Sequence, residues 1–438
     1  MELIVENVRS FYGSHSISVY PLTILVGENS SGKTTFLGVL AAVLNPSFPA
    51  ITYSMNLPPY DFGSYDTIAT NRGRRYGRSK SFAIGYSMGK PEAPDYKCLK
   101  ATYVDMHGQP KLSSLEGKTR SMKFLFQFAD KQASVKLTYR KSDDEQPFDH
   151  SFEVPLPPAG AFQIPMFAMS LPYILHSMKP QPEKISIEII QEMDKELTRL
   201  FIGQMAGATI PEPMSAVSLA PVRTKPRRTY DEISDEFQPE GDHIPLILAR
   251  IWDDEDLTKK TTVREALKEF GKQAGLFKDL KVKKLGDRPS SPFQIKVQIA
   301  GPAANLPDVG YGVSQSLPII VESVLASKGK RLLLQQPEVH LHPRAQAALG
   351  TLLAKLVARD GKQFVVETHS DYLLDRIRQE VAKGTLAPEA VGILFFDKPS
   401  FKTKIYQLRL DKNGNILNAP KSYRQFFLSE EHNLLFRV

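Results

Sequence analysis

Residues 22–44, LTILVGENSSGKTTFLGVLAAVL, constrain this chain more than any other stretch. Leu22 to Val26 is a short apolar run that predicts a buried strand. Gly27-Glu28-Asn29-Ser30-Ser31-Gly32-Lys33-Thr34 follows, with the spacing G-x-x-x-x-G-K-[ST]. Phe36, Leu37, Leu40, Val43 and Leu44 then recur at helical spacing. Two glycines let the backbone take conformations that a side chain would block. The loop's N–H groups can then converge at a helix N-terminus, where the dipole favours an anion. Lys33 has the length to reach β and γ phosphates, and Thr34 offers a hydroxyl to Mg²⁺. Thr35 completes the set expected to bind nucleotide. The bare pattern also occurs by chance. Set between a strand and a helix, it points to ATP with Mg²⁺ as cofactors.

The partner elements lie near the other end of the chain. DVGYGVSQSLPIIVESVLA (308–326) reads as a glycine-containing turn and an apolar helix. KGKRLLLQQPEVHLHP (328–343) reads as a strand ending in polar residues, with Pro343 opening the next helix. Leu349, Leu352, Leu353 and Leu356 form that helix's apolar face, and Gly361 is placed to end it. KQFVVETHSDYLL (362–374) predicts a second buried strand, a polar tip at Glu367-Thr368-His369, and Ser370 as a helix cap. Strands alternating with helices imply a largely parallel sheet, whose strand C-termini are where ligands bind.

On these residues the chain resembles the OLD-like branch of ABC-type AAA ATPases, relatives of the SMC and RecF-type heads. The similar segments are GENSSGKTT, GYGVSQ, LLLQQPEVHLHP and VVETHS, with SLAPVRTKPRRTY (218–230), PEGDHIPLILARIW (239–252) and DKNGNILNAPKSYRQFF (411–427). Residues 84–210 carry little of it. The resemblance implies an α/β ABC-type P-loop head with split halves, a mixed sheet flanked by helices, and an inserted α+β middle region. It implies that Gly312, Val313, Ser314 and Gln315 form a signature turn that meets the γ-phosphate held by another subunit. It makes His369 a switch histidine. It puts Gln335 at the position of a magnesium-holding acid and Gln336 at the neighbouring, often catalytic, position; if the chain is a naturally weak ATPase, Glu338 or Glu367 would take part of the role. His340 and His342 do not share a helix face, and a structural turn is expected there rather than a metal site.

Roughly three hundred residues separate Lys33 from Gln335, far beyond the thirty or so of one βαβ unit, so something is inserted. Residues 122–128, 134–139 and 151–154 predict strands of an antiparallel extension. Residues 155–182, rich in Pro and Met, predict irregular structure, and 184–201 and 262–277 predict amphipathic helices. The expected division is an N-terminal ATPase lobe (1–155), an inserted helical or lid region (156–290), and a C-terminal lobe (291–438). No sustained heptads suggest a long coiled-coil arm. About seventy residues follow His369, fewer than the roughly 100 of an ordinary further domain, so no nuclease domain is expected after it. Asp397 and Asp411 read as strand-end and turn residues beside the Asn413-Gly414 turn.

The chain has 438 residues, 42% hydrophobic and 24% charged, with one cysteine, Cys98. That excludes an internal disulfide framework. No apolar window is long enough to cross a membrane, and MELIVENVRS lacks the apolar core of a signal peptide, so a cytoplasmic protein is expected. A net charge of +8 favours polyanionic partners, with basic residues clustered at 71–80, 223–228 and 278–288. The resulting expectation is an ATP-binding and hydrolysing switch. It forms a homo-oligomer, at least a dimer, through ATP-bridged heads and controls a separate effector, a nuclease or toxin, in bacterial anti-phage defence. The alternative is a repair or maintenance ATPase of the SMC or RecF type whose basic clusters grip duplex DNA. A scaffold that uses nucleotide only as support is a further rival. The two amides leave two readings: Gln335 stands for an acid changed to trap bound ATP, or the chain is naturally a weak ATPase.

Overall fold

The computed structural model describes residues 1–45, 48–49, 55–73, 75–129, 132–140, 148–155, 216–231, 236–254, 257–288, 291–398, 400 and 402–423. The chain divides into two compact units. One holds residues 1–19, 35–215 and 398–404; the other holds 20–34, 216–397 and 405–438.

The first unit carries an eight-stranded antiparallel sheet. Its order is Phe11–Ser18, Glu2–Val8, Ser81–Met88, Lys97–Met106, Gln109–Thr119, Met122–Phe128, Gln132–Tyr139 and Phe148–Pro155. Strict alternation builds it. Along Met122–Phe128 the side chains of Met122, Phe124 and Phe126 are buried while Lys123 and Gln127 face out. Gly117 pairs with Phe124, whose ring covers the glycine so closely that a Cβ would lie 2.1 Å from it. The three strands expected at 122–154 are present and antiparallel. The strands between 81 and 119, unforeseen in sequence, join them to the N-terminal hairpin. The helix expected at 184–201 and the irregular stretch at 155–182 lie outside the described residues, apart from Pro155, which ends the last strand.

The second unit holds the phosphate loop. Its seven-stranded sheet uses β1 (Leu22–Gly27), β2 (Ala216–Leu219), β3 (Arg331–Gln335), β4 (Gln363–Glu367), β5 (Val391–Asp397), β6 (Lys404–Leu410) and β7 (Ile416–Leu417), in the order β2-β3-β4-β1-β5-β6-β7. From β2 to β5 all pairings are parallel. Parallel strands are covered on both faces and read as continuous apolar runs, and Leu332, Leu333, Leu334, Phe364, Val365 and Val366 are fully buried. Helix α1 (Lys33–Val43) begins here and from Thr35 onward is counted with the first unit; the helices of this unit are α2 (Ile244–Asp253), α3 (Leu257–Ala274), α4 (Tyr311–Leu325), α5 (Pro343–Asp360) and α6 (Asp371–Ala382). A small antiparallel sheet of Asp279–Lys284, Phe293–Gln298 and Ala304–Asn305 also belongs to this unit.

The helix boundaries follow local chemistry. Gly361 ends α5 at φ +63°, where a Cβ is disfavoured. Ser370 Oγ accepts the Leu373 N–H at 3.0 Å and caps α6. The sequence pattern at 262–277 corresponds to α3, which starts earlier and packs Val263, Leu267 and Phe270 into the core of this unit. Among the described residues no helix is long and apolar enough to cross a membrane.

Candidate functional site

The site is built where β1, β3 and β4 end. β1 runs into the loop, and three residues of that loop have positive φ: Gly27 (+139°), Ser30 (+58°) and Gly32 (+108°). At Gly27 the glycine is obligatory twice over, because a Cβ would also lie 2.2 Å from the Phe396 carbonyl oxygen on β5. Glu28, Asn29 and Ser30 are exposed at the tip, whereas Ser31 and Lys33 are buried. Lys33 Nζ donates to the carbonyls of Gly27 (2.9 Å) and Glu28 (2.6 Å), so its ammonium sits inside the curl of its own loop. Burial lowers the Lys33 pKa, opposed by the charges of Glu367 and Glu28. Thr34 is exposed on the first turn of α1, and Thr35 beside it is buried. Backbone with alternating hand around an ammonium is a nest for phosphate oxygens, and these residues fit ATP.

The acid position departs from expectation. Gln335 ends β3, buried, in register with Glu367 at the end of β4. Thr34 Oγ1 lies 3.0 and 2.9 Å from the two Glu367 oxygens and is the donor to that carboxylate. Glu367, expected only as an acid that could share the role, stands on the threonine in place of Gln335. The only local signal was an acid closing the apolar run KQFVVE. Burial raises the Glu367 pKa, partly offset by Thr34 and then Lys33. A hydroxyl, a carboxylate and an amide carbonyl are the hard oxygen donors that Mg²⁺ takes, and Mg²⁺ typically needs only one or two carboxylates beside the phosphates. Thr34, Glu367 and Gln335 therefore fit that ion.

Gln336 follows in left-handed conformation at φ +40°. Its N–H donates to the Glu367 carbonyl at 2.8 Å, and its own carbonyl accepts weakly from Arg223 Nη2 at 3.4 Å. Glu338 is buried, and its Oε1 accepts the His369 N–H at 2.7 Å. Burial raises the Glu338 pKa against that hydrogen bond and the charge of Arg223. Through Oε1, Glu338 holds the backbone at His369, while its Oε2 is buried without a hydrogen-bond partner. His369 lies over a cavity of about 510 Å³ shared with Gly27, Glu28, Phe396 and Asp397. Desolvation, and then the Lys33 charge, lower its pKa, which favours neutral imidazole.

The signature residues sit at the start of α4. Val313, Ser314 and Gln315 are buried, Ser314 Oγ donates back to the Tyr311 carbonyl at 2.9 Å, and Gln315 Nε2 points to the Arg223 carbonyl at 3.4 Å. What this turn offers outward is the backbone at Gly310 to Gly312 with the exposed Tyr311 ring. His340 and His342 belong to the turn after β3. The His340 ring meets Tyr311 edge-on at 5.1 Å, and His342 caps α5. Among the described residues no group of three His, Cys, Asp or Glu side chains forms a metal cage.

A phosphate loop between a parallel strand and a helix, an acid one strand away, and a histidine beyond it resemble the arrangement of an ABC-type P-loop head. Within that class the chain resembles the OLD-like ATPases. Residues 174–374 match the family described as AAA ATPase domain, a span that takes in Gln335, Glu367 and His369. The chain is 20% identical over 370 residues to an OLD nuclease of Thermus scotoductus. That match covers 83% of this chain and 57% of the nuclease, so the chain spans little more than half of its relative's length. Among solved structures, an Smc head bound to the C-winged helix domain of ScpA is 11% identical with a TM-score of 0.46, covering 94% of this chain and 98% of that one. An SMC head domain from Thermotoga maritima is 10% identical with a TM-score of 0.38, covering 92% and 97%.

Proposed function

We propose that this protein is an ATP-driven switch whose heads assemble across bound nucleotide and control a separate effector, with bacterial anti-phage defence as its setting. The observation that carries the nucleotide reading is Lys33, a buried ammonium held by two carbonyls at the centre of its own loop. A phosphate competes for that ammonium on better terms than neutral carbonyls, because both partners are charged. The loop N–H groups orient the phosphates, and Lys33 neutralises them. Mg²⁺, when bound, supplies Lewis-acid charge at the phosphate oxygens. His369 in neutral form accepts or donates one hydrogen bond at the cavity edge. In the assembly, the exposed turn at Gly310–Gly312 of one copy faces the nucleotide of another, where its backbone N–H groups and helix start favour anionic charge. The match to an OLD nuclease supports an effector that cuts nucleic acid.

Turnover is proposed to be slow. Gln335 and Gln336 are amides, and an amide is a poor proton acceptor where a general base is needed. The alternative role, a repair ATPase gripping duplex DNA, draws on the basic clusters. It is separated by a salt titration of DNA binding, since phosphate contacts weaken steeply with salt. The switch reading is tested by ATP binding and by ATP-dependent association in sedimentation velocity. Lys33→Ala is expected to lose both. ATP binding and assembly unchanged in that variant would overturn it.

A further inference from the structure

The register of the central strands moves the acid of this site. β4 lies between β3 and β1, so its last residue stands one strand closer to the phosphate loop than the last residue of β3. Gln335 and Glu367 are paired across these strands, and paired positions on adjacent strands lie about 4.8 Å apart. The loop threonine has chosen between them. Its single hydroxyl proton is shared across both oxygens of Glu367, at 3.0 and 2.9 Å. Glu367 is 4% exposed, and the charges of Lys33 and Glu338 act on it in opposite senses. A buried carboxylate satisfied by one hydroxyl retains lone pairs for a cation.

We propose that Glu367 is the carboxylate that holds the divalent cation of the nucleotide site together with Thr34, and that Gln335 is a neutral oxygen donor beside it. This rests on the nucleotide reading above and specifies how that site takes its metal. It also gives the amide at Gln335 a physical reason. Two carboxylates a strand spacing apart in a buried position repel each other and force one to take a proton. With Glu367 charged, an amide at Gln335 supplies an oxygen without that penalty.

The test is ATP affinity by calorimetry, measured with Mg²⁺ and again with a chelator, so that the ratio isolates the metal. The wild-type chain is expected to bind more tightly with Mg²⁺. Glu367→Gln, the same size without the charge, is expected to cut that ratio about tenfold or more, while leaving chelator-state binding in place. Gln335→Ala is expected to cut it less than Glu367→Gln does. Binding of Mn²⁺ in the presence of ATP, read by electron paramagnetic resonance, should follow the same order. An undiminished ratio in Glu367→Gln, or a larger loss in Gln335→Ala, overturns the assignment. Should Glu367→Gln not fold, Glu367→Asp replaces it: a ratio below that of Gln335→Ala supports the assignment, and one at or above it overturns it. If the wild-type chain binds no ATP under either condition, the nucleotide reading fails and takes this inference with it. A ratio kept by Glu367→Gln removes this inference alone.

Discussion

Gln335 and Glu367 end neighbouring parallel strands in register, and Thr34 donates to the second of them and not the first. The hydroxyl that completes the phosphate loop is thus positioned by a residue 333 positions away in the chain. The geometry couples three things: the end of the loop, the start of α1, and the strand that leads to His369.

That coupling can be read with two substitutions. Thr34→Val keeps the shape and deletes the hydroxyl that donates to Glu367. Its Mg²⁺-dependent gain in ATP affinity is expected to fall about tenfold. Thr34→Ser keeps the donor and is expected to retain most of that gain. Calorimetric titration of each variant, with and without Mg²⁺, checks both. Equal behaviour of Val and Ser would show that the hydroxyl has no part in holding the ion.

Gly27 sets a harsher limit. At φ +139°, with the Phe396 carbonyl oxygen 2.2 Å from where a Cβ would stand, Gly27→Ala must push β1 away from β5 or change the loop's path. A loss of about 3 kcal/mol is expected, from a strained backbone and a clash that no rotamer relieves. Urea denaturation measures it. Ala at the exposed Gly73, where no atom lies within 4 Å, controls for the φ penalty without the clash.

The sequence disclosed the elements of this site far better than their pairing. The loop, the apolar runs of β1, β3 and β4, Gly361 as a helix stop and Ser370 as a cap all have local causes, and all are present. Glu367 could be suspected but not assigned, because its link to Thr34 depends on strand order and register between segments far apart in the chain. Neither leaves a mark in the residues nearby. The strands from Ser81 to Thr119 escaped for a related reason. In Lys97–Met106 the half-buried Lys100 alternates with buried Leu99 and Ala101, and Gln109–Thr119 offers few apolar residues, so the apolar pattern there is thin. The signature residues were expected to face a neighbour, yet Ser314 and Gln315 fold inward. A motif specifies which residues occur, and only the packed helix decides which atoms remain outside.

Gln336 provides a test of backbone strain. Its φ of +40° is costly for any residue that carries a Cβ, and more so for a β-branched one. Gln336→Gly should leave stability within about 0.5 kcal/mol, because the relief of strain offsets the extra freedom of the unfolded chain. Gln336→Val should cost about 2 kcal/mol. Chemical denaturation of the two variants decides it. If Val proves as stable as Gly, the turn after β3 has relaxed, and the Gln336 N–H bond to Glu367 should be lost with it.

In the antiparallel unit, stability should fall on the alkaline side. Tyr65 is buried against Phe82, with ring centroids 5.6 Å apart, and its hydroxyl donates to the Ser79 carbonyl at 2.9 Å. Phe82 stacks on Tyr103 at 5.3 Å, and the Tyr103 hydroxyl donates to the Pro49 carbonyl at 2.6 Å. Burial raises the Tyr65 pKa from 10.0 to about 12, helped by Asp105 and Asp66, and burial also pushes Tyr103 and Tyr86 upward. A phenol with a raised folded-state pKa stays neutral in the fold while it ionises in the unfolded chain. Its contribution is complete below the ordinary value and drains away as pH climbs from about 10 toward 12. Tyrosinate absorbance should therefore include a late stage from the buried tyrosines, which appears only as the sheet opens. Tyr65→Phe removes one titrating group and should make the loss of stability with rising pH shallower. An unchanged slope would mean that Tyr65 is solvated and free to ionise within the folded unit.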